Sequence, residues 1–225
     1  MIALVLGGWG AGELSRSALQ GADLEVVRDI AARRTVLLTG VGHVLSLAGS
    51  VFLLGPLAVV CCAALYRRGR PRSAILIALS SGGAALMFNV EKLIVARPRP
   101  PVDHLVAAAH SSFPSGHATV SAALYLSLVI VFLARGPHSA AALAPVMATV
   151  LLVAGIALSR VYLGVHYPTD VAGGALFGAT WTLLVASLLR APERQPPATG
   201  NQSTPASAIR ASEPHTRGRA PLAGA

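Results

Sequence analysis

Apolar residues fall into five long blocks along this chain, about Gly42 to Tyr66, Ser73 to Ala96, His117 to Ala134, Ser139 to Leu158 and Thr169 to Leu189. Each is close to the roughly 20 residues that a helix needs to cross the hydrocarbon core of a bilayer. The pattern predicts an all-α fold, a polytopic membrane helical bundle with five clear transmembrane helices. Met1 to Gly8 is apolar too, but it is too short to span and lacks the positive stretch of a signal peptide. It reads as the stub of a truncated or missing first helix, left by a start placed too far downstream or by a reduced span. Ala22 to Arg34 carries Leu24, Val27, Ile30 and Ala31 at helical spacing with charges between them, which predicts an amphipathic helix on the outer surface. Past Ala191 the chain is rich in Pro, Ser, Thr, Ala and Gly without apolar periodicity, and a disordered tail is expected. The expected organisation is a stub and outer segment over residues 1–41, a transmembrane domain over 42–190 and a tail over 191–225.

Charge sets the orientation. Arg67-Arg68-Gly69-Arg70-Pro71-Arg72 is the densest basic cluster, and the positive-inside rule places it in the cytoplasm. Alternation then puts the loop from Arg97 to Gly116 and the turn from Ser159 to Pro168 outside, with Arg135 and the tail after Arg190 inside. The expectation is an integral protein of a bacterial inner (plasma) membrane. A composition of 54% hydrophobic and 12% charged residues excludes an ordinary soluble domain. The net charge of +9 does not indicate nucleic acid, because the arginines sit in short segments between apolar runs, as topology signals do. Cys61 and Cys62 are adjacent within an apolar run and read as packing residues, not as a redox or metal pair.

Three short motifs stand where apolar blocks meet water: Lys92-x6-Arg99-Pro100, Pro114-Ser115-Gly116-His117, and Ser159-Arg160-x5-His166-x3-Asp170. All three fall on the predicted extracytoplasmic face. Lys92 is the single lysine among 18 basic residues. Breaking a phosphate ester needs a nucleophile, a proton donor for the leaving oxygen and positive charge around the non-bridging oxygens. Asp170 follows His166 by four residues, so a helical turn can bring its carboxylate back to the ring, fix the tautomer and free the other nitrogen to attack phosphorus. Ser115 and Gly116 precede a helix N-terminus whose N–H groups suit an anion, and Gly116 would let a phosphate approach the backbone closely. His117, on the first turn, would stand near the leaving oxygen as general acid. Lys92, Arg99 and Arg160 supply the charge.

Each residue also has a plainer reading. Lys92 and Arg160 fit snorkelling anchors near span ends, Arg97 and Arg99 fit ordinary loop charges, and Ser115-Gly116 fits a turn and helix cap. His117 fits an interfacial histidine, and His166 with Asp170 a structural pair. Three such groups on one face are harder to explain in that way. Asp103, His104 and His110 belong to none of the motifs and read as loop residues in water.

In order and spacing, the three motifs resemble those of the type-2 phosphatidic acid phosphatase superfamily, which includes lipid phosphate phosphatases and is similar to vanadium haloperoxidases. The resemblance covers about Gly42 to Leu189 and implies a helical bundle with its site at the outer membrane surface. It implies His166 as a nucleophile forming a phosphohistidine, Asp170 as its orienting partner and His117 as the acid for the leaving group. Lys92, Arg99, Ser115, Gly116 and Arg160 would bind the phosphoryl oxygens, with no metal and no cofactor. Membrane members usually have six spans, and the amino end departs from that pattern. The partner expected is a membrane lipid with a phosphate or diphosphate head group, of phosphatidic acid, phosphatidylglycerol phosphate or undecaprenyl diphosphate type. Competing readings are a haloperoxidase-like enzyme and a non-catalytic lipid-phosphate binding or transport protein. Gly174-x3-Gly178 reads either as a contact between subunits or as close packing within one bundle, which leaves the oligomeric state open.

Overall fold

The computed structural model describes residues 18–134 and 143–189, together with 7, 9–10 and 12–14. Most of the stub, Arg135 and the tail from Arg190 lie outside the described residues. Seven helices lie wholly within them, and no strand does: α1 (Gln20–Ala32), α2 (Val36–Ala48), α3 (Val51–Arg67), α4 (Pro71–Val95), α5 (Gly116–Leu133), α6 (Leu143–Tyr162) and α7 (Pro168–Leu189). Five stretches are long and apolar enough to cross a membrane, namely α2 with α3, then α4, α5, α6 and α7.

Local chemistry accounts for the boundaries. The Thr35 hydroxyl accepts a hydrogen bond from the Leu38 N–H at 3.3 Å and caps α2. Pro71 and Pro168 open α4 and α7, where their missing N–H costs nothing. Ala96 turns left-handed (φ 46°) to close α4, and Pro98 bars its continuation. The first span differs from expectation. It begins at Val36, not Gly42, and is interrupted at Gly49-Ser50, where Ser50 is extended and starts α3 afresh. The Tyr125 hydroxyl donates to the Ala48 carbonyl at 2.9 Å, satisfying one of the acceptors that the break leaves over. The fourth span also differs, because α6 continues to Tyr162 and places Ser159 and Arg160 on its last turn, not in a loop.

The surface is apolar in the manner of a membrane protein: Val36 is 93%, Phe52 86% and Leu93 84% exposed. Inside, small polar residues bond their own helices, as Ser127 does to the Leu124 carbonyl (2.7 Å) and Thr182 to that of Gly178 (2.9 Å). α5 is the central helix, packed against α4, α6 and α7, while α2 lies on α6 and α1 rests on α6 and α7. Gly174 and Gly178 face α5: a Cβ on Gly174 would lie 2.8 Å from the Ser115 carbonyl oxygen. The pair therefore serves close packing within the bundle. In α1, Val27 is fully buried among Ala118, Ala157, Val161, Tyr167 and Val171.

Candidate active site

At one end of the bundle the start of α5, the last turns of α4 and α6 and the loops beside them enclose a cavity of about 360 Å³. Lys92, Arg99, Gly116, His117, Arg160 and His166 all line it, so six of the eight residues singled out from the sequence share one space. The other two stand directly behind. Asp170 is fully buried beneath His166, and Ser115 is fully buried at the N-terminus of α5. The remaining wall is mostly apolar, formed in part by Val51, Ala85, Phe88 and Val120, with Asn89 as its polar member.

The turn between α6 and α7 presents His166. Gly164 takes φ +80°, which admits a glycine cheaply, and the Val165 N–H returns to the Arg160 carbonyl at 3.2 Å. His166 Nδ1 lies 3.5 Å from Asp170 Oδ2, and no other described residue hydrogen-bonds to it. The carboxylate is itself fixed by several donors. Its Oδ2 accepts from the Tyr167 N–H at 2.8 Å and from the Ser112 hydroxyl, while Oδ1 accepts from Arg97 Nη1 at 2.6 Å. His166 Nε2 faces the other way, 3.5 Å from Arg99 Nη1. Burial pushes the His166 imidazole down to about 4, with Arg99 and Lys92 acting in the same direction and Asp170 opposing. The ring is therefore neutral at ordinary pH, with Asp170 placed to hold the Nδ1 proton and leave a lone pair on Nε2.

Lys92 and Arg99 are tethered through backbone carbonyls, and Arg160 through a side chain. Lys92 Nζ donates to the Ser111 carbonyl at 2.5 Å. Arg99 donates to the carbonyls of Val165 (2.5 Å), Ala109 (2.7 Å) and His110 (3.2 Å). Arg160, almost wholly buried, reaches the Ser46 hydroxyl near the end of α2. Neither Lys92 nor Arg160 snorkels outward. Among the described residues the Ser115 hydroxyl makes no capping bond and has no hydrogen-bond partner, so it is not spent on starting the helix. Gly116 also packs tightly against Phe88, where a Cβ would lie 2.9 Å from Cε2. The absent side chain makes room for Phe88. Asp103, His104 and His110 do not line the cavity.

Sequence reasoning missed the layer behind these residues. Arg97, read as a loop charge, is fully buried and pairs with both Asp170 and Asp23 of α1. Asp23 stands at i−4 from Val27, on the apolar stripe of its helix, which was the available signal. Ser46, Gly49, Ser112 and Thr169 were also passed over.

The arrangement is a neutral histidine held by a carboxylate, faced by three cations and a second histidine, beside an apolar wall. The family model for the PAP2 superfamily matches residues 72–194. The chain belongs to this superfamily. As a PAP2 protein it is an integral membrane phosphoric ester hydrolase. It is 32% identical over 184 residues to phosphatidylglycerophosphatase B of Bacillus subtilis, covering 78% of this chain and 87% of that protein. It is 40% identical over 103 residues to decaprenylphosphoryl-5-phosphoribose phosphatase of Mycobacterium tuberculosis, covering 43% of this chain and 50% of the other. The crystal structure of a transmembrane PAP2-type phosphatidylglycerolphosphate phosphatase from Bacillus subtilis superposes with a TM-score of 0.77 at 28% identity, covering 86% of this chain and 97% of that one.

Proposed function

We propose that this PAP2 protein hydrolyses the phosphate or diphosphate head group of a membrane lipid through a phosphohistidine on His166. The observation that carries the reading is the position of His166 Nε2: it faces a cavity edged by Lys92, Arg99 and Arg160, while its other nitrogen faces a buried carboxylate. The Nε2 lone pair attacks phosphorus, the bond from phosphorus to the lipid oxygen breaks, and that oxygen takes a proton from His117. Water then attacks the phosphohistidine and gives its proton to His117, the N–P bond breaks, and inorganic phosphate leaves. Arg99, Lys92 and Arg160, with the Ser115 hydroxyl and the first N–H groups of α5, stabilise the charge that builds on the phosphoryl oxygens.

A lipid substrate is supported by the apolar wall of the same cavity and by the lipid-acting relatives. Placement on the extracytoplasmic side is supported by Arg67, Arg68, Arg70 and Arg72, which lie at the far end of α4 from Lys92, about 30 Å away at the rise of an α-helix. The test is phosphate release by purified protein in detergent from phosphatidic acid, phosphatidylglycerol phosphate and undecaprenyl diphosphate. One of these should turn over, and His166→Ala should abolish it. Unchanged release by that variant would refute the mechanism.

A further inference from the structure

Behind His166 lies a continuous buried chain of charge that ends outside the three motifs. Asp170 Oδ1 accepts from Arg97 Nη1 at 2.6 Å, and Arg97 Nη2 donates to Asp23 Oδ2 at 2.7 Å. Thr169 closes the figure: its hydroxyl accepts from Arg97 Nη1 at 2.8 Å and donates to Asp23 Oδ2, while its N–H donates to Asp23 Oδ1 at 3.2 Å. Arg97 is fully buried, with its guanidinium carbon 4.1 Å from the centre of the Tyr167 ring. Asp23 is 4% exposed and belongs to α1, a helix that contributes nothing to the cavity lining.

A guanidinium is planar, and its fork fixes the direction of each N–H it donates. With one arm on Asp23 and the other on Asp170, the orientation of Arg97 is set at both ends. The carboxylate that orients His166 is thereby referenced to α1. A lone Arg97–Asp170 pair would leave the fork free to pivot about one bond. Asp23 also offsets the cost of burying the cation, which two carboxylates share here.

We propose that Asp23 and Arg97 are positioning residues for Asp170, so that the chemistry at His166 depends on a carboxylate of the amphipathic helix α1. This rests on the reading of His166 as nucleophile. Two variants test it with little change of shape. Asp23→Asn keeps the size of the side chain and removes the charge, and Arg97→Lys keeps the charge and loses the fork. Val27→Ala serves as the control, because it removes apolar packing from the same face of α1 without touching the chain of charge.

Steady-state kinetics and thermal midpoints in detergent are measured together. Asp23→Asn is expected to lower kcat about tenfold, the low end of what such outer partners cost at other sites, with KM within twofold. Arg97→Lys should cost more, and the double variant should resemble Arg97→Lys alone, since residues acting through one another are not additive. Val27→Ala should lower the midpoint and leave kcat within twofold well below it. Wild-type kcat in Asp23→Asn, or an equal loss of kcat in Val27→Ala, would overturn the proposal and reduce α1 to packing. The nucleophile is tested separately: an inactive His166→Ala beside a fully active Asp23→Asn refutes the positioning role alone, whereas an active His166→Ala refutes the reading beneath it.

Discussion

Gly174 sits one turn below Asp170, where α7 crosses the start of α5. An alanine there would put its Cβ 2.8 Å from the Ser115 carbonyl oxygen, 2.8 Å from Thr119 Oγ1 and 3.3 Å from the Ser115 N, whereas ordinary contact begins near 3.4 Å. Two of the three atoms are backbone and cannot rotate away. The helices must therefore part by roughly half an ångström in a close-packed interior. Overpacking of this kind costs about 1–3 kcal/mol. Relief of the glycine's helix penalty returns about 0.5–1 kcal/mol. The net loss centres on about 1 kcal/mol, or about 2–4 °C in thermal midpoint for a domain of this size. The same movement falls on the Ser115 N–H bond to the Asp170 carbonyl, 3.1 Å long, which joins the two halves of the site. A displacement near 1 Å at a reacting centre costs about a hundredfold in rate, so half of that predicts roughly a tenfold fall in kcat. Thermal unfolding and phosphate release in one detergent would measure both. Gly82→Ala is the control, with nothing within 4 Å of its Cβ, and should keep kcat while gaining about 0.5–1 kcal/mol. If Gly174→Ala matched the wild type in both assays, the helices would be free to separate and the argument from contact would fail.

Two further predictions concern protons. His117→Gln should lower kcat about 10²- to 10⁴-fold on lipid substrates, yet far less on an aryl phosphate whose leaving group needs no proton, and an equal loss on both would remove the general acid role. Because burial holds His166 near 4 instead of 6.5, its ring stays neutral as the pH falls, and any acid limb of kcat/KM that it governs should lie near 4. The sign for stability follows from the same shift. Between 6.5 and 4 the unfolded chain takes up a proton that folded His166 refuses, so His166 lowers stability as the pH falls through that window. His166→Gln should flatten that part of the stability profile, and an unchanged slope would show that other groups set it.

Much of the fold was legible because spans are written in composition. Four of the five predicted blocks coincide with a helix to within a few residues, and a bilayer tolerates few alternatives to a helix. The break at Gly49-Ser50 was hidden because hydropathy averages over it. At the break Gly49 packs closely against Ile156 and His117, a tertiary contact that composition does not show. The motif residues were legible as a group because ionisable side chains beside spans are costly without a purpose. Arg97 and Asp23 were not, since each looks like a surface charge until the other is known. Their 74-residue separation leaves no local pattern. The contact of Gly116 with Phe88 was not legible either, because it requires knowing where Phe88 points.

A guanidinium has five hydrogens to donate, and in Arg99 the acceptors already reach that number: the carbonyls of Val165, Ala109, His110 and Ser111, with His166 Nε2 alongside. An anion arriving at Arg99 finds no vacant N–H and must share or displace one of these partners. Three of the carbonyls belong to consecutive residues of one loop, where His110 is held at φ +62°. Occupancy of the cavity and the conformation of residues 109–111 thus draw on the same hydrogens, and by linkage whatever shifts one equilibrium shifts the other equally.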